Sequence, residues 1–80
     1  MAEMSERLIK LIARELKVEE NQVSPHARFV EELKADSLGL VLLQMAIEEE
    51  FEIGIPEEDA LGIVSLQTAI EYLVGKGVQG

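Results

Sequence analysis

Few residues in this chain could do chemistry. There is no cysteine among its 80 residues, and His26 is the lone histidine, so a disulfide framework, a cysteine-based zinc site and a histidine cluster are excluded. Hydroxyls and carboxylates remain. A Ser-His-Asp triad would need His26 to reach Ser37 with a buried acid behind it, and nothing in the sequence positions either partner; beside Pro25, His26 reads as a loop residue. The runs Glu48-Glu49-Glu50 and Glu57-Glu58-Asp59 lack the alternation and the glycine of a calcium-binding loop. No constellation of acid, base and nucleophile can be assembled, so we expect no catalytic residues, no metal site and no enzyme. Ser37 is different. Preceded by Asp36 at the head of an apolar stretch, it sits where a helix should begin, with its hydroxyl near unpaired backbone N–H groups that favour a phosphate. The plainer alternative for such an Asp-Ser pair is helix capping.

The elements that must hold Ser37 are helical. Aromatic residues are scarce and glycines and prolines few, which argues against a β-sandwich. Leu8, Ile9, Leu11, Ile12 and Leu16 recur at helical spacing and predict a first helix over 5–17 with Ser5 as its cap. Between Val18 and Asp36 the periodicity vanishes. Asn21, Ser24 and Pro25 are loop formers, and only Val23, Phe29, Val30 and Leu33 could pin the stretch to a core; we expect an ordered loop held down by Phe29 and Val30. A second helix is expected over 37–52, capped by Asp36. Gly54 and Pro56 interrupt it. A short third helix over 57–61 carries acids in its first turn, where the helix dipole favours them, and Gly62 ends it. Ser65 caps a final helix with Leu66, Ala69, Ile70, Leu73 and Val74 on one stripe, expected to fray at Gly75-Lys76-Gly77. The expectation is an all-α, small four-helix bundle, three longer helices and one short, with a long loop between the first two, forming a single domain over residues 1–80.

On the second helix, Leu40, Leu43, Ile47 and Phe51 cluster on one side and Leu38, Val41, Leu42 and Met45 on the opposite side, at about 100° per residue. A domain this small has one core to offer. The side ending at Phe51 is the natural core face, which leaves the other partly exposed as a contact surface, one that the adaptable Met45 suits. The alternative is a central helix buried on both sides.

The net charge of −9 is unevenly spread. From Ser37 to Gly62 the acids Glu48, Glu49, Glu50, Glu52, Glu57, Glu58 and Asp59 face no lysine or arginine. Such a surface repels nucleic acid and anionic lipid and steers basic partner surfaces toward it. No apolar run is long enough to span a bilayer and the first residues are polar, so a cytoplasmic monomer with no stable membrane insertion is expected.

At Asp36-Ser37-Leu38 the sequence resembles the acyl carrier protein family. The likeness covers nearly the whole chain: Phe29-Val30-Glu31-Glu32-Leu33 leads into Lys34-Ala35-Asp36-Ser37-Leu38, followed by Met45-Ala46-Ile47-Glu48-Glu49-Glu50-Phe51, Ile55-Pro56 and the final helix. The resemblance implies that Ser37 is esterified by 4'-phosphopantetheine, taken from coenzyme A by a separate Mg-dependent phosphopantetheinyl transferase. The arm's terminal thiol would then hold acyl groups as thioesters for acyl-loading, elongating or acyl-transfer enzymes. It also implies that Asp36, which with Leu38 flanks the cofactor, helps dock the transferase rather than serving as a base. Partner docking is expected on the exposed face of the second helix, at Leu38, Val41, Leu42 and Met45, with Glu48 and Glu49. An acyl chain folding back would lie against Leu40, Leu43, Ile47, Phe51, Ile55, Ile63, Ala69 and Leu73. The absence of any encoded thiol agrees, because the sulfur must then arrive with a cofactor.

Three departures from the family pattern stand out. Where general fatty-acid carriers usually have an acid, Thr, Val and a second acid after Asp-Ser-Leu, this chain has Gly39, Leu40, Val41 and Leu42. Two docking charges are missing, and Gly39 costs the first turn about 1 kcal/mol of helix propensity relative to Ala. A specialised carrier is therefore expected, whose dedicated partner offers an apolar contact. An aminoacyl or polyketide carrier with the same arm, and a binding module that keeps the fold without any arm, are the alternatives.

Overall fold

A computed structural model describes residues 2–78. Its elements in chain order are α1 (Ala2–Leu16), a 3-10 turn (Glu20–Gln22), α2 (Ser37–Phe51), α3 (Glu57–Ala60) and α4 (Leu66–Gly75). The fold is an all-helical small bundle, with no strand among the described residues. Helix α1 buries Met4, Leu8, Leu11 and Ile12, a stripe at i, i+4, i+7 and i+8 that faces one side. Ser5 was expected to cap this helix; it lies inside it instead, because Met4, fully buried, extends the apolar stripe by a further turn. The core continues through Leu43, Ile47 and Phe51 of α2 and Leu66, Ala69 and Leu73 of α4.

The connection between α1 and α2 is irregular but firmly placed. Val23, Ala27, Phe29 and Leu33 are buried. The Phe29 amide donates to the Val64 carbonyl at 2.9 Å and the Gln67 amide to the Pro25 carbonyl at 2.9 Å, flanking an isolated antiparallel bridge between Arg28 and Ser65. The loop thus satisfies its backbone on the segment linking α3 to α4 and on the first turn of α4, as buried polar backbone must. Val30 is not the second anchor expected: it is half exposed, and Leu33 takes that role. Once Phe29 points inward its neighbour points away.

Helices α1, α2 and α4 end alike. The amides of Val18, Ile53 and Val78 donate to the carbonyls of Ala13, Glu48 and Leu73 respectively, following left-handed residues at Lys17, Glu52 and Gly77 with φ of 58°, 54° and 81°. This is the Schellman closure, in which carbonyls of the last turn find partners beyond the helix. The end of α4, expected to fray, is therefore tied off. At its start Ser65 caps it: the Thr68 amide donates to Ser65 Oγ at 3.3 Å and the Ser65 amide to Thr68 Oγ1 at 2.9 Å. Helix α3 stops one residue before Leu61, which serves as its C-cap.

Arg7 fastens α1 to the end of α2. Its guanidinium donates to Glu50 Oε2 and to the Glu50 carbonyl, both at 3.0 Å, and lies 4.5 Å from the centre of the Phe51 ring. Lys17 and Glu52 hold a backbone conformation that costs non-glycine residues about 1–2 kcal/mol. Glycine adopts it freely but loses more chain entropy on folding. Glu52→Gly is therefore expected to stabilise the protein by about 0.5–1 kcal/mol, read as a higher urea midpoint at unchanged slope. A destabilised variant would show that the Glu52 side chain contributes something its exposure does not suggest.

Candidate functional site

The site is built at the head of α2. Asp36, in extended backbone, caps the helix: the Gly39 amide donates to Asp36 Oδ1 at 2.7 Å and the Leu40 amide to the Asp36 carbonyl at 2.9 Å. A cap of this kind contributes about 1 kcal/mol. The side chain takes one orphan donor of the first turn, the carbonyl accepts the first regular helical bond, and the amides of Ser37 and Leu38 are left free. Ser37 is the first helical residue and is exposed. Capping is thus the work of Asp36, and the Ser37 hydroxyl stands at the positive end of the helix dipole.

Gly39 has a steric role here. A Cβ at this position would lie 3.1 Å from Asp36 Oδ1 and 3.6 Å from Leu16 Cδ2, so its absence lets the capping carboxylate and the end of α1 close on the first turn. Beside it is an open depression lined by Lys17, Lys34, Asp36, Leu38 and Gly39 among others. Two lysines there balance the charges of Asp36 and Glu15, and Lys34 Nζ is steadied by the Glu31 carbonyl at 3.3 Å. Exposed hydroxyl, free amides and neighbouring cations suit a phosphate-linked group.

The two faces of α2 separate as the helical wheel predicts. Leu43, Ile47 and Phe51 are buried, while Leu38, Val41, Leu42 and Met45 are 44–66% exposed, so the helix is not enclosed on both sides. Glu49 is exposed at the far end of the same helix. Glu48 is not equally free: its carboxylate turns back to accept the Ile55 amide at 2.7 Å, committing the charge to the connection between α2 and α3.

The expected acyl pocket is only partly a cavity. A pocket of about 190 Å³ opens between α2, the loop at Phe29 and the segment following α3, and of the residues expected for it Leu40 and Ile63 line it. Leu43, Ile47, Phe51, Ala69 and Leu73 pack into the closed core and Ile55 is half-buried against it. A chain running toward Phe51 would have to part side chains already in contact. Arg28, Phe29, Val30, Glu31, Gln44, Ala60, Leu61 and Val64 complete the lining. Gln44 went unnoticed in the sequence, although Ser37, Leu40 and Gln44 stand at i, i+3 and i+7 on one face, and Gln44 is the polar break in an otherwise apolar run. His26 is exposed in the turn after Pro25.

A family model described as a phosphopantetheine attachment site matches residues 6–73, which takes in most of α1 and all of α2 and α3, and α4 as far as Leu73.

One wall of the pocket is latched. The Tyr72 hydroxyl donates to Asp59 Oδ2 at 2.8 Å, Lys76 Nζ lies 3.9 Å from the same oxygen, and Lys76 also lies 5.4 Å from the centre of the Tyr72 ring. These contacts hold α3, four residues long, against α4. Partial burial first, then the hydrogen bond and charge of Asp59 and the charge of Glu48, push the Tyr72 pKa above its ordinary value of 10.0. The native state thus favours the neutral phenol: the contribution is complete below pH 10 and is lost as pH rises through the raised value. With one tyrosine and no tryptophan in the chain, phenolate absorbance reports this group alone. Its alkaline midpoint is expected above 10, and Asp59→Asn should bring it down; an ordinary midpoint insensitive to that substitution would mean that the latch is not kept in solution.

Proposed function

Since the chain belongs to the family of phosphopantetheine attachment sites, we propose that Ser37 bears the arm and that the protein carries acyl intermediates on it as thioesters, in fatty-acid or a related lipid or secondary-metabolite biosynthesis. Members of this family hold 4'-phosphopantetheine covalently, are in general non-catalytic carriers, and are modified by phosphopantetheinyl transferases and used by biosynthetic enzymes. The observation that carries the assignment to Ser37 is its exposed hydroxyl beside two free amides at the head of α2, with Asp36 already engaged at Gly39.

The roles of the chain's own residues follow. Ser37 Oγ forms the new bond to phosphorus, the bond from phosphorus to adenosine 3',5'-bisphosphate in coenzyme A breaks, and the hydroxyl proton passes to the transferase. The Asp36 carboxylate accepts the Gly39 amide and acts as cap and docking charge rather than as a base. When bound, the arm supplies the thiol that this cysteine-free chain lacks. The free amides of Ser37 and Leu38 would hold its phosphate, and Lys17 and Lys34, which line the adjoining depression, would supply cations to it.

Leu38, Val41, Leu42 and Met45 support a specialised carrier. Exposed apolar side chains along the helix that begins at the attachment residue favour a partner with a matching apolar contact, and Glu49 and Glu52 offer charge for basic residues at its rim.

Incubation with coenzyme A and a broad-specificity transferase is expected to add the mass of one arm to the wild type and nothing to Ser37→Ala. A wild type that never gains mass would favour an arm-free binding module. General fatty-acid synthesis enzymes are expected to use the loaded wild type at least several-fold more slowly than their own carrier, and Leu42→Glu should narrow that gap. Equal use of both carriers would refute the specialised reading.

A further inference from the structure

Ser37, Leu40 and Gln44 share one face of α2, and Gln44 stands about 10 Å along the axis from Ser37 at 1.5 Å per residue. A flexible arm rooted at Ser37 would therefore pass Leu40 on its way to the pocket that Gln44 lines. That pocket is walled by Phe29, Leu40, Ala60 and Ile63 among others and measures about 190 Å³. A cavity of about 150 Å³ accommodates a benzene ring, so this one holds about six to eight non-hydrogen atoms before the closed packing of Leu43 and Ile47 stops it.

Its lining is apolar but for three side chains. Arg28 and Glu31 face each other across 3.9 Å at the exposed rim. Gln44 is half-buried, and its carboxamide takes no part in the side-chain hydrogen bonds among the described residues; with no buried polar side-chain atom left unpartnered among them, it is open to hydration by water. A plain hydrocarbon filling the pocket would strip that water and return nothing, which is costly for an amide. A group with a hydroxyl or similar substituent would replace it. We propose that Gln44 is a specificity-determining residue, and that the pocket takes a short acyl group bearing a hydrogen-bonding substituent in preference to an unsubstituted chain. The inference rests on the reading of Ser37 as the arm-bearing residue.

The test loads the full chain with hexanoyl or 3-hydroxyhexanoyl arms from the corresponding coenzyme A thioesters. Mass spectrometry confirms each product, and amide NMR compares them with the unacylated arm-bearing protein, for the wild type and for Gln44→Met, a change of similar shape and helix propensity. The hydroxyacyl arm is expected to shift the Gln44 side-chain amide and the backbone amides of Ala60 and Ile63 at least twofold more than the hexanoyl arm. Gln44→Met should remove that difference while keeping a folded spectrum. Equal shifts from both arms would overturn the proposal, as would a difference that survives in Gln44→Met. A Gln44 amide already fully shifted by the unacylated arm would also overturn it, since the arm's own amides would then be the partner. Failure to gain mass overturns the attachment reading and this inference together, whereas loading without hydroxyl dependence overturns the inference alone.

Discussion

The hydrogen bond from the Phe29 amide to the Val64 carbonyl is the constraint around which the rest is arranged. A quarter of the chain joins α1 to α2 without a regular element of its own beyond one 3-10 turn, and its inward-facing backbone has to be paired. It borrows partners from the link between α3 and α4. Phe29, almost wholly enclosed, fixes where the loop lies, and the loop then delivers Asp36 to the head of α2 in the extended conformation that a cap requires. The same contact sets the loop as one wall of the pocket and the segment after α3 as the other. The position of Ser37 and the pocket both follow from how this loop is tied down.

Helix α2 is put to use on three sides. Toward α1 and α4 it is ordinary core; outward it exposes Leu38, Val41, Leu42 and Met45; along the side of Ser37 it presents Leu40 and Gln44 to the pocket. Such a division explains why the apolar run looks unpatterned: a helix with one buried face shows one stripe, and this one adds an exposed apolar face that the core does not use. The thin core survives because it is not asked to enclose α2, and because Arg7 clasps the far end of that helix across Glu50 and Phe51.

Much of this was legible in the residues. The four helices, the caps at Asp36 and Ser65, the two faces of α2 and the break at Gly54 and Pro56 all follow from spacing and from the local chemistry of turn and cap residues. What was missed depends on tertiary partners. Ser5 looks like a cap until Met4 is seen to be buried. Val30 looks like an anchor as much as Leu33 does, since no period governs an irregular loop and its pairing with Val64, Ser65 and Gln67 sets which side chain turns inward. The closure at Gly77 was mistaken for fraying because glycine marks both. Glu48 reads as one acid of three until its carboxylate is found on the Ile55 amide. The depth of the pocket cannot be read from a list of apolar residues, because the same side chains line a cavity or fill it according to how closely the helices approach.

The four carboxylates of Glu48, Glu49, Glu50 and Glu52 stand at the C-terminal end of α2, where the helix dipole is negative and acids are disfavoured. Two find relief within the molecule: Glu48 at the Ile55 amide and Glu50 at Arg7. Glu49 and Glu52 remain turned to solvent, with the closing carbonyls of the helix beside them. A partner that sets a cation there neutralises both the side chains and the helix end. Whatever such a contact adds to association it adds equally to the folded state, because a ligand that binds only the native form raises its stability by mass action. A basic partner docking at this helix end would thus couple how firmly the protein is folded to whether it is held.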